Sequence, residues 1–563
     1  MILGYGPTRI IEEEIVQRDS NYGPRQPTHG TSVRESRMSA ASNTIALTQE
    51  EHHDWKPAAN PWLIAASVML ATFMVVLDSS VANVALPHIA GSLSASTDES
   101  TWVLTSYLVA NAIMLPAAGW IARRIGRARL LMLSIFLFTV ASLLCGVALT
   151  MPMLIVARVL QGIGGGGMQP LAQSILLESF PRRQHGTAMA VYGMGVIVAP
   201  IIGPTLGGWI TDSYSWRWIF YVNLPIGILA LIMVNLYVED PPYLRHKFKG
   251  AIDYLGFSLM ALWLGTLQLV LDKGQEADWF GAPWICWTSA VSALALVGFI
   301  ARELTNHDPI VQLRIFRNRN FAVGTLITCM YGFILYGATA MLPLFLQTLM
   351  GYSALQSGLS VSPRGIGAMA SMMVVGLLVR KIDARYLMAF GFGLLGTSTW
   401  MLGHISLEIG MKSVIMPNIL NGFAMGFIFV PLTTLTLSSL RKQEMGNATG
   451  IYNLMRNIGG SIGIAAIMAM LTRGAQTHQN TLAADVGLGS PMAGVMARGI
   501  QSKLFSQGAD MVTAQHKALG TLYRSVQQQA SLLAYADNFR LIAILAFSCI
   551  PLLLLLKKIE RHD

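Results

Sequence analysis

The groups able to do chemistry in this chain are conspicuous because the runs around them are apolar. One carboxylate, Asp78, lies well inside a hydrophobic stretch, and four cations, Arg158, Arg364, Arg456 and Arg540, are embedded in such stretches or sit at their boundaries. A charge taken out of water costs several kcal/mol, so each needs a partner or a task. Asp78 is the strong candidate for a group that loads and unloads a proton. Burial favours its neutral form and a nearby Arg its charged form, so a changing environment could switch it. The alternative is a permanently ionised Asp tying its span to a neighbour. Arg158 keeps its charge; it either holds Asp78 and responds to its protonation, or bonds backbone carbonyls. Asn453, Arg456 and Asn457 fall at steps of three and four, on one helix face. Arg364 follows Pro363 and is either a second-half counterpart or a satisfied structural charge. Asn83, Trp102, Asn111, Gln169, Tyr336, Gln347 and Asn421, with Arg456, are sparse polar or aromatic groups of the kind that line an apolar cavity for large amphipathic ligands. Each could equally serve as a helix–helix hydrogen bond. Cys145, Cys286, Cys329 and Cys549 have no metal-ligand spacing and read as buried thiols. Gly164 to Gly167 form no phosphate loop, since no Lys-Ser/Thr follows. The residues call for no metal and no cofactor, only a proton.

The elements that must position these groups follow from composition. The 563 residues are 53% hydrophobic and 12% charged, with mean hydropathy +0.51. Soluble domains carry about 25% charged residues, so a water-soluble enzyme is excluded, as are a disordered chain and a fibre. A helix needs about 20 apolar residues to cross a bilayer. Fourteen stretches qualify: 62–86, 102–122, 130–149, 152–174, 187–210, 218–238, 252–271, 283–302, 321–347, 357–379, 386–405, 413–438, 448–471 and 539–556. Residues 1–58 are polar and read as a disordered tail without a cleavable signal, in which His52 and His53 are a solvated pair. With the N-terminus placed in the cytoplasm, the cytoplasmic loops and C-terminal end hold 21 Lys and Arg, whereas the short outer loops hold Arg217, Lys273 and Lys412. That is the positive-inside pattern, and it places both termini in the cytoplasm. The net charge of +10 is therefore a topology signal rather than a nucleic-acid footprint. One outer loop is long, about 472–537. Its Met511, Ala514, Ala518, Leu522, Val526, Ala530 and Leu533 predict an amphipathic helix, either a self-packed cap or a docking surface.

The chain also repeats itself. Gly119-Trp-Ile-Ala-Arg123-Arg124-Ile125-Gly126-Arg127 and Gly376-Leu-Leu-Val-Arg380-Lys381-Ile382-Asp383 are both a helix end, a basic turn and an immediate new helix. Two such halves imply a duplication with span 9 matching span 1, the usual architecture of a secondary transporter. The expected units are the 1–58 tail, a six-helix bundle at 59–240, two linking helices at 250–303, and a six-helix bundle at 318–558 that includes the long loop.

The first of these turns resembles the loop motif of the major facilitator superfamily. Leu154, Arg158, Gln161, Gly162 and Gly164 resemble its span 4 motif, and Gly195 through Gly203, Pro204, Gly207 and Gly208 its antiporter motif in span 5. Leu77-Asp78 through Pro87, then Trp216-Arg217-Trp218 with Asn223 and Pro225, are similar to the fourteen-span drug:proton antiporters of the EmrB/QacA group. Asn453, Arg456, Gly459, Gly460, Ser461 and Gly463 point to its EmrB side. The resemblance implies an all-α major facilitator fold in the bacterial inner membrane, in contact with lipid. It implies proton-coupled export of amphipathic drugs, through Asp78 and Arg158, with gating by the motif glycines and Arg127. It also implies an EmrA-like periplasmic adaptor and a TolC-like outer-membrane channel as partners. The superfamily's acidic loop position is Arg123 here, so its ion pair must be replaced by other contacts. A same-fold exporter dedicated to one metabolite or siderophore fits the motifs equally. A membrane-embedded enzyme fits poorly, because no carboxylate, His or metal-ligand cluster is present in the spans.

Overall fold

The structure, a computed structural model, describes residues 57–241, 253–306, 308–441, 444–485, 491–508 and 510–557. The expectations for the tail up to residue 56, His52 and His53 included, lie outside these residues. Among the described residues the regular structure is entirely helical. The first half comprises α1 (Pro61–Ser92), α2 (Thr97–Ile125), α3 (Arg127–Gly146), α4 (Met151–Gly166), α5 (Met168–Ser179), α6 (His185–Ser213), the short α7 (Trp218–Tyr221) and α8 (Asn223–Tyr237). Then come α9 (Tyr254–Lys273) and α10 (Pro283–Thr305). The second half comprises α11 (Arg319–Thr348), α12 (Ala354–Val361), α13 (Pro363–Leu378), α14 (Ala384–Leu402), α15 (Met411–Ser438), α16 (Met445–Asp485), α17 (Pro491–Ser506) and α18 (Met511–Leu552).

Helix starts are written locally. Ser96 with Glu99 and Ser353 with Gln356 form capping boxes for α2 and α12, and Thr150, Asp253, Asn318, Asp383 and Asp510 cap α4, α9, α11, α14 and α18. Twelve helical segments among the described residues are long and apolar enough to cross a membrane. The predicted spans missing from that set are 152–174 and 386–405. The first is broken at Gly167 into α4 and α5, and nearly every residue of α5 is buried by protein, so it presents little apolar surface to lipid. The second, α14, is diluted by Thr397, Ser398 and Thr399, yet packs between α15 and α18 like the spans around it.

The pairing of helices follows the internal repeat. In the first half α1 packs on α6, α2 on α4, α3 on α4, and α8 on α1 and α3. In the second half α11 packs on α16, α13 on α15, α14 on α15, and α18 on α11 and α14. The halves meet through matching contacts, chiefly α2 with α16 and α13 with α6, and beside them α5 with α16 and α15 with α6. Helices α9 and α10 pair at the periphery: only 22% of the most apolar window of each is buried, against 61% for α1 and α15. Their apolar side chains, such as Leu294 and Val297, face outward, as do Leu133 and Phe136 of α3. In water such a surface would aggregate; in lipid it is solvated.

The described residues of the long 472–537 loop are almost wholly helical. α16 runs on to Asp485, α17 follows, and α18 begins at Met511 and continues into the last span. Ala514, Ala518 and Ala530 are buried as the periodicity predicts, but Met511 and Leu533 are exposed and Leu532 takes the inner place. Of the four thiols, Cys145 and Cys549 are buried, Cys329 is half-buried, and Cys286 is exposed on the outer face of α10.

Without a hydrophobic force between helices in lipid, small residues decide how closely backbones approach. A methyl group on Gly162 would sit 2.5 Å from the Tyr107 carbonyl and 2.8 Å from the Ala110 methyl; on Gly164, 2.7 Å from the Phe138 nitrogen. The run at Gly164 to Gly167 thus presses α4 onto α2 and α3. Replacing Gly162 by Val must overpack this contact at a cost of about 1–3 kcal/mol. The expected result is a lower unfolding temperature in detergent; an unchanged one would contradict the packing described.

Candidate functional site

Asp78 lies 17 residues into α1, about 25 Å along its axis at 1.5 Å per residue. Its side chain is 1% exposed and that of Arg158 is fully buried. Arg158 Nη1 meets Asp78 Oδ2 at 2.6 Å, while Gln161 Nε2 and Asn223 Nδ2 both donate to Asp78 Oδ1 at 2.8 Å. Arg158 and Gln161, three apart on one face of α4, also bond each other, Nη1 to Oε1 at 2.7 Å. Arg158 Nε donates to the Val103 carbonyl at 3.0 Å, and its guanidinium lies 4.3 Å from the centre of the Tyr107 ring. Ser142 of α3 accepts from Gln161 and Asn223 and donates to the Phe220 carbonyl at 2.9 Å. The two alternatives for Arg158 are therefore both realised in one residue: it holds Asp78 and a backbone carbonyl. One carboxylate gathers side chains from α1, α4 and α8 directly, and α2, α3 and α7 through them.

A second polar layer joins the halves. Asn453 Nδ2 of α16 donates to Gln173 Oε1 of α5 at 2.7 Å, and Arg456 Nη2 donates to Gln169 Oε1 at 2.8 Å. Tyr192 of α6 lies beside Thr72 and Gln173. The other cavity candidates are dispersed. Asn83 is exposed, Trp102 is exposed with Lys273 Nζ 5.9 Å from its ring centre, and Asn111 lies with Tyr107 against Gly165. Tyr336 lies against Gly460 of α16. Gln347 is exposed and donates to Ser357 at 3.4 Å, whereas Asn421 is buried with its oxygen unpartnered. Arg540 lies beside Asp537, 3.5 Å away, at the exposed start of the last span.

The motif residues sit where helices touch. Gly203 and Gly207 of α6 back onto Ser80 and Val81 of α1, whereas Gly208 faces open space. Pro200 and Pro204 lie inside α6. Gly119 of α2 faces the backbone of Gly446 and Asn447 at the start of α16, with no room for a methyl group. In the turn after α2, Gly126 has φ +94° and lies against the Asp240 carboxylate, so both conformation and space require glycine. Asp240 Oδ1 accepts from the backbone nitrogens of Arg127 at 2.7 Å and Ala128 at 2.9 Å, capping α3. The Arg127 side chain pairs with Glu178 at the end of α5, and Arg123 donates to the Pro309 carbonyl at 3.2 Å. These are the contacts this chain uses where the loop motif carries Arg123 in place of an acid.

Gln161 and Asn223 are in the sequence motifs but only the structure assigns them to Asp78. Ser142 and Tyr107 carry no sequence signal, being small or aromatic residues in apolar helices.

A helical membrane protein with repeated halves, a buried carboxylate–guanidinium knot and glycine-lined helix contacts is an alternating-access carrier in form. Residues 68–464 match the family model of the Major Facilitator Superfamily, and the chain belongs to that superfamily of transporters. It is 39% identical over 433 residues to the multidrug export protein EmrB of Haemophilus influenzae, covering 77% of this chain and 84% of that protein. It is 37% identical over 479 residues to EmrB of Escherichia coli K12, covering 85% and 91%. The solved proton:xylose symporter XylE shares the fold, with a TM-score of 0.54 at 15% identity over 87% of this chain and 96% of that one.

The knot makes a stability prediction. Removing one member of a buried pair strands the other at about 3–5 kcal/mol, whereas neutralising both does not. Arg158→Ala should sharply reduce folded yield, and Asp78→Asn combined with Arg158→Gln should restore thermal stability in detergent without restoring activity. Equal losses for the single and double variants would show that the charges are not each other's partners.

Proposed function

We propose that the protein is a proton-driven exporter of hydrophobic or amphipathic toxic compounds in the bacterial inner membrane, with both termini in the cytoplasm. The observation that carries this reading is the Asp78 knot: a carboxylate buried in mid-span whose charge is balanced by one arginine and two amides. Identity of 37–39% to multidrug export proteins over most of the chain supports the substrate range. On the cytoplasmic assignment of the tail, Asp78 lies toward the outer side. Protonation from outside weakens its hold on Arg158, Gln161 and Asn223. That frees α1, α4 and α8 to shift relative to one another, favouring substrate release and return; deprotonation inside rebuilds the knot for the next substrate. The units at 59–240 and 318–558 rock about the α2–α16 and α6–α13 contacts, with the pair α9 and α10 between them in the chain. Asp240, Glu178 and Arg127 steady the inward end in this cycle. Gln169 and Arg456 border the substrate path.

Dye efflux from proteoliposomes with an imposed proton gradient tests this. Asp78→Asn should abolish gradient-driven efflux per folded protein, and the stability-restored pair of Asp78→Asn with Arg158→Gln should be equally inactive. Undiminished gradient-driven efflux would falsify the carrier role.

The partners we propose are an EmrA-like periplasmic adaptor and a TolC-like outer-membrane channel, with α17 and the outer part of α18 as the adaptor surface. Val495, Met496, Phe505 and Val512 are exposed there, on helices beyond the predicted spans. Deleting residues 475–535 should abolish adaptor pull-down from a pump that still folds. Retention of the adaptor by the deleted form would sink the assignment.

A further inference from the structure

We propose that Arg364 and Arg456 form an anion-binding subsite in the second half, which takes the acidic headgroup of an amphipathic organic anion. This deepens the exporter reading and rests on it. The starting point is a charge inventory. Between Arg319 and Leu407 the sole acidic residue is Asp383, and between Met411 and Ala484 it is Glu444. Both occupy turns: Asp383 caps α14 beside Arg385, and Glu444 folds back onto the Arg441 backbone just before α16. No carboxylate of the second half is therefore available inside its spans up to α16, yet two guanidiniums are.

Arg456 is 6% exposed. Its Nη2 reaches the neutral Gln169 oxygen, and its buried Nε has no partner. Arg364 donates from Nη1 to the Thr339 hydroxyl at 2.7 Å, while its buried Nε and Nη2 have none. Neither belongs to any ion pair of the described residues. An arginine stays charged at any working pH, so an uncompensated one in a span costs several kcal/mol that a neutral oxygen does not offset. Arg158 shows the contrast, with a carboxylate of its own.

The two cations also share a place. Both lie near Tyr331 of α11. Gly332 brings α11 against the Arg456 backbone, and Thr339, seven residues further along the same helix, receives Arg364. Between them Tyr336, 37% exposed, lies on Gly460, an aromatic surface beside the charges. Unpartnered guanidinium donors suit a carboxylate or sulfonate, and the aromatic and apolar surroundings suit its hydrophobic body.

The test uses the full-length protein in vesicles of zwitterionic lipid, with and without phosphatidylglycerol. The probes are dansyl-undecanoate, an amphipathic carboxylate, and ethidium, an amphipathic cation. Losing one charge-assisted bond costs about tenfold in affinity or more. Arg364→Gln and Arg456→Gln should each lower the dansyl-undecanoate to ethidium flux ratio about tenfold, and Lys at either position should recover part of it. Equilibrium binding of dansyl-undecanoate to the detergent-purified variants should weaken in parallel. An unchanged ratio, or equal loss of both probes from folded protein, overturns the subsite. Dependence on the arginines only in vesicles containing phosphatidylglycerol overturns it in favour of a lipid headgroup. Absence of flux for either probe with wild-type protein, while binding still depends on the arginines, sinks the exporter reading and leaves the subsite standing.

Discussion

The cost of holding a charge away from water governs the organisation of this molecule. Asp78 cannot be buried in the middle of α1 without Arg158, and Arg158 cannot be buried without the Val103 carbonyl, the Gln161 amide and the Tyr107 ring. Each of those partners lies on a helix that must therefore come within a few ångströms of α1 or α4. Glycine makes that approach possible. Gly162, four residues beyond Arg158, removes the side chain that would hold α4 away from the Tyr107 carbonyl, and Gly164 does the same toward α3. The electrostatic requirement and the small-residue packing are thus two views of one constraint: donors reach a carboxylate only where backbones nearly touch.

The same constraint explains why α4 and α5 carry so much polarity. A span facing lipid needs an apolar outer stripe, but α5 is enclosed by protein along nearly its whole length. It can afford Gln169, Gln173 and Glu178, each of which meets a partner from another helix: Arg456, Asn453 and Arg127. Two of those bonds tie the first half to the second. The third steadies the turn after α2, where Asp240 caps α3 in a position set by Gly126.

Much of this was legible in the sequence, and what was not has physical causes. The spans, the repeat and the importance of Asp78 and Arg158 follow from hydropathy and from charges in the wrong solvent. Helix pairings α1 with α6 and α11 with α16 then follow the duplication. By contrast, α4 and α5 form one apolar run in the sequence because the break at Gly167 costs no hydrophobicity. The outer loop was readable as amphipathic at Ala514, Ala518 and Ala530, but Leu533 is outside the buried stripe and Leu532 inside it. At 3.6 residues per turn a pattern read over twenty residues drifts, and it takes the packing partner to fix which of two adjacent leucines is inward. Asn83, Trp102 and Gln347 show a further limit: polarity within an apolar run marks a residue as unusual without saying whether it faces protein, lipid or the membrane edge.

The duplication also makes the unlike distribution of charge informative. The helix pairings of the two halves correspond, and so do the contacts that join them, so the backbone alone treats the halves as equivalent. The ionisable groups do not. The first half encloses anions and cations that cancel, Asp78 with Arg158 and Glu178 with Arg127; the second encloses Arg364 and Arg456 with neutral partners only. In a rocking carrier the two halves move as bodies related by a pseudo-two-fold axis, and a symmetric charge pattern would give the proton and the ligand no separate places to act. On the proposed reading, confining the mid-span carboxylate to one half and uncompensated cations to the other separates those tasks in space. The link between them is short: Arg456 bonds Gln169 on α5, the helix that follows directly from the segment carrying Arg158 and Gln161. A shift of α4 that relaxes the Asp78 knot would carry Gln169 with it, and so change what Arg456 has left to offer a ligand.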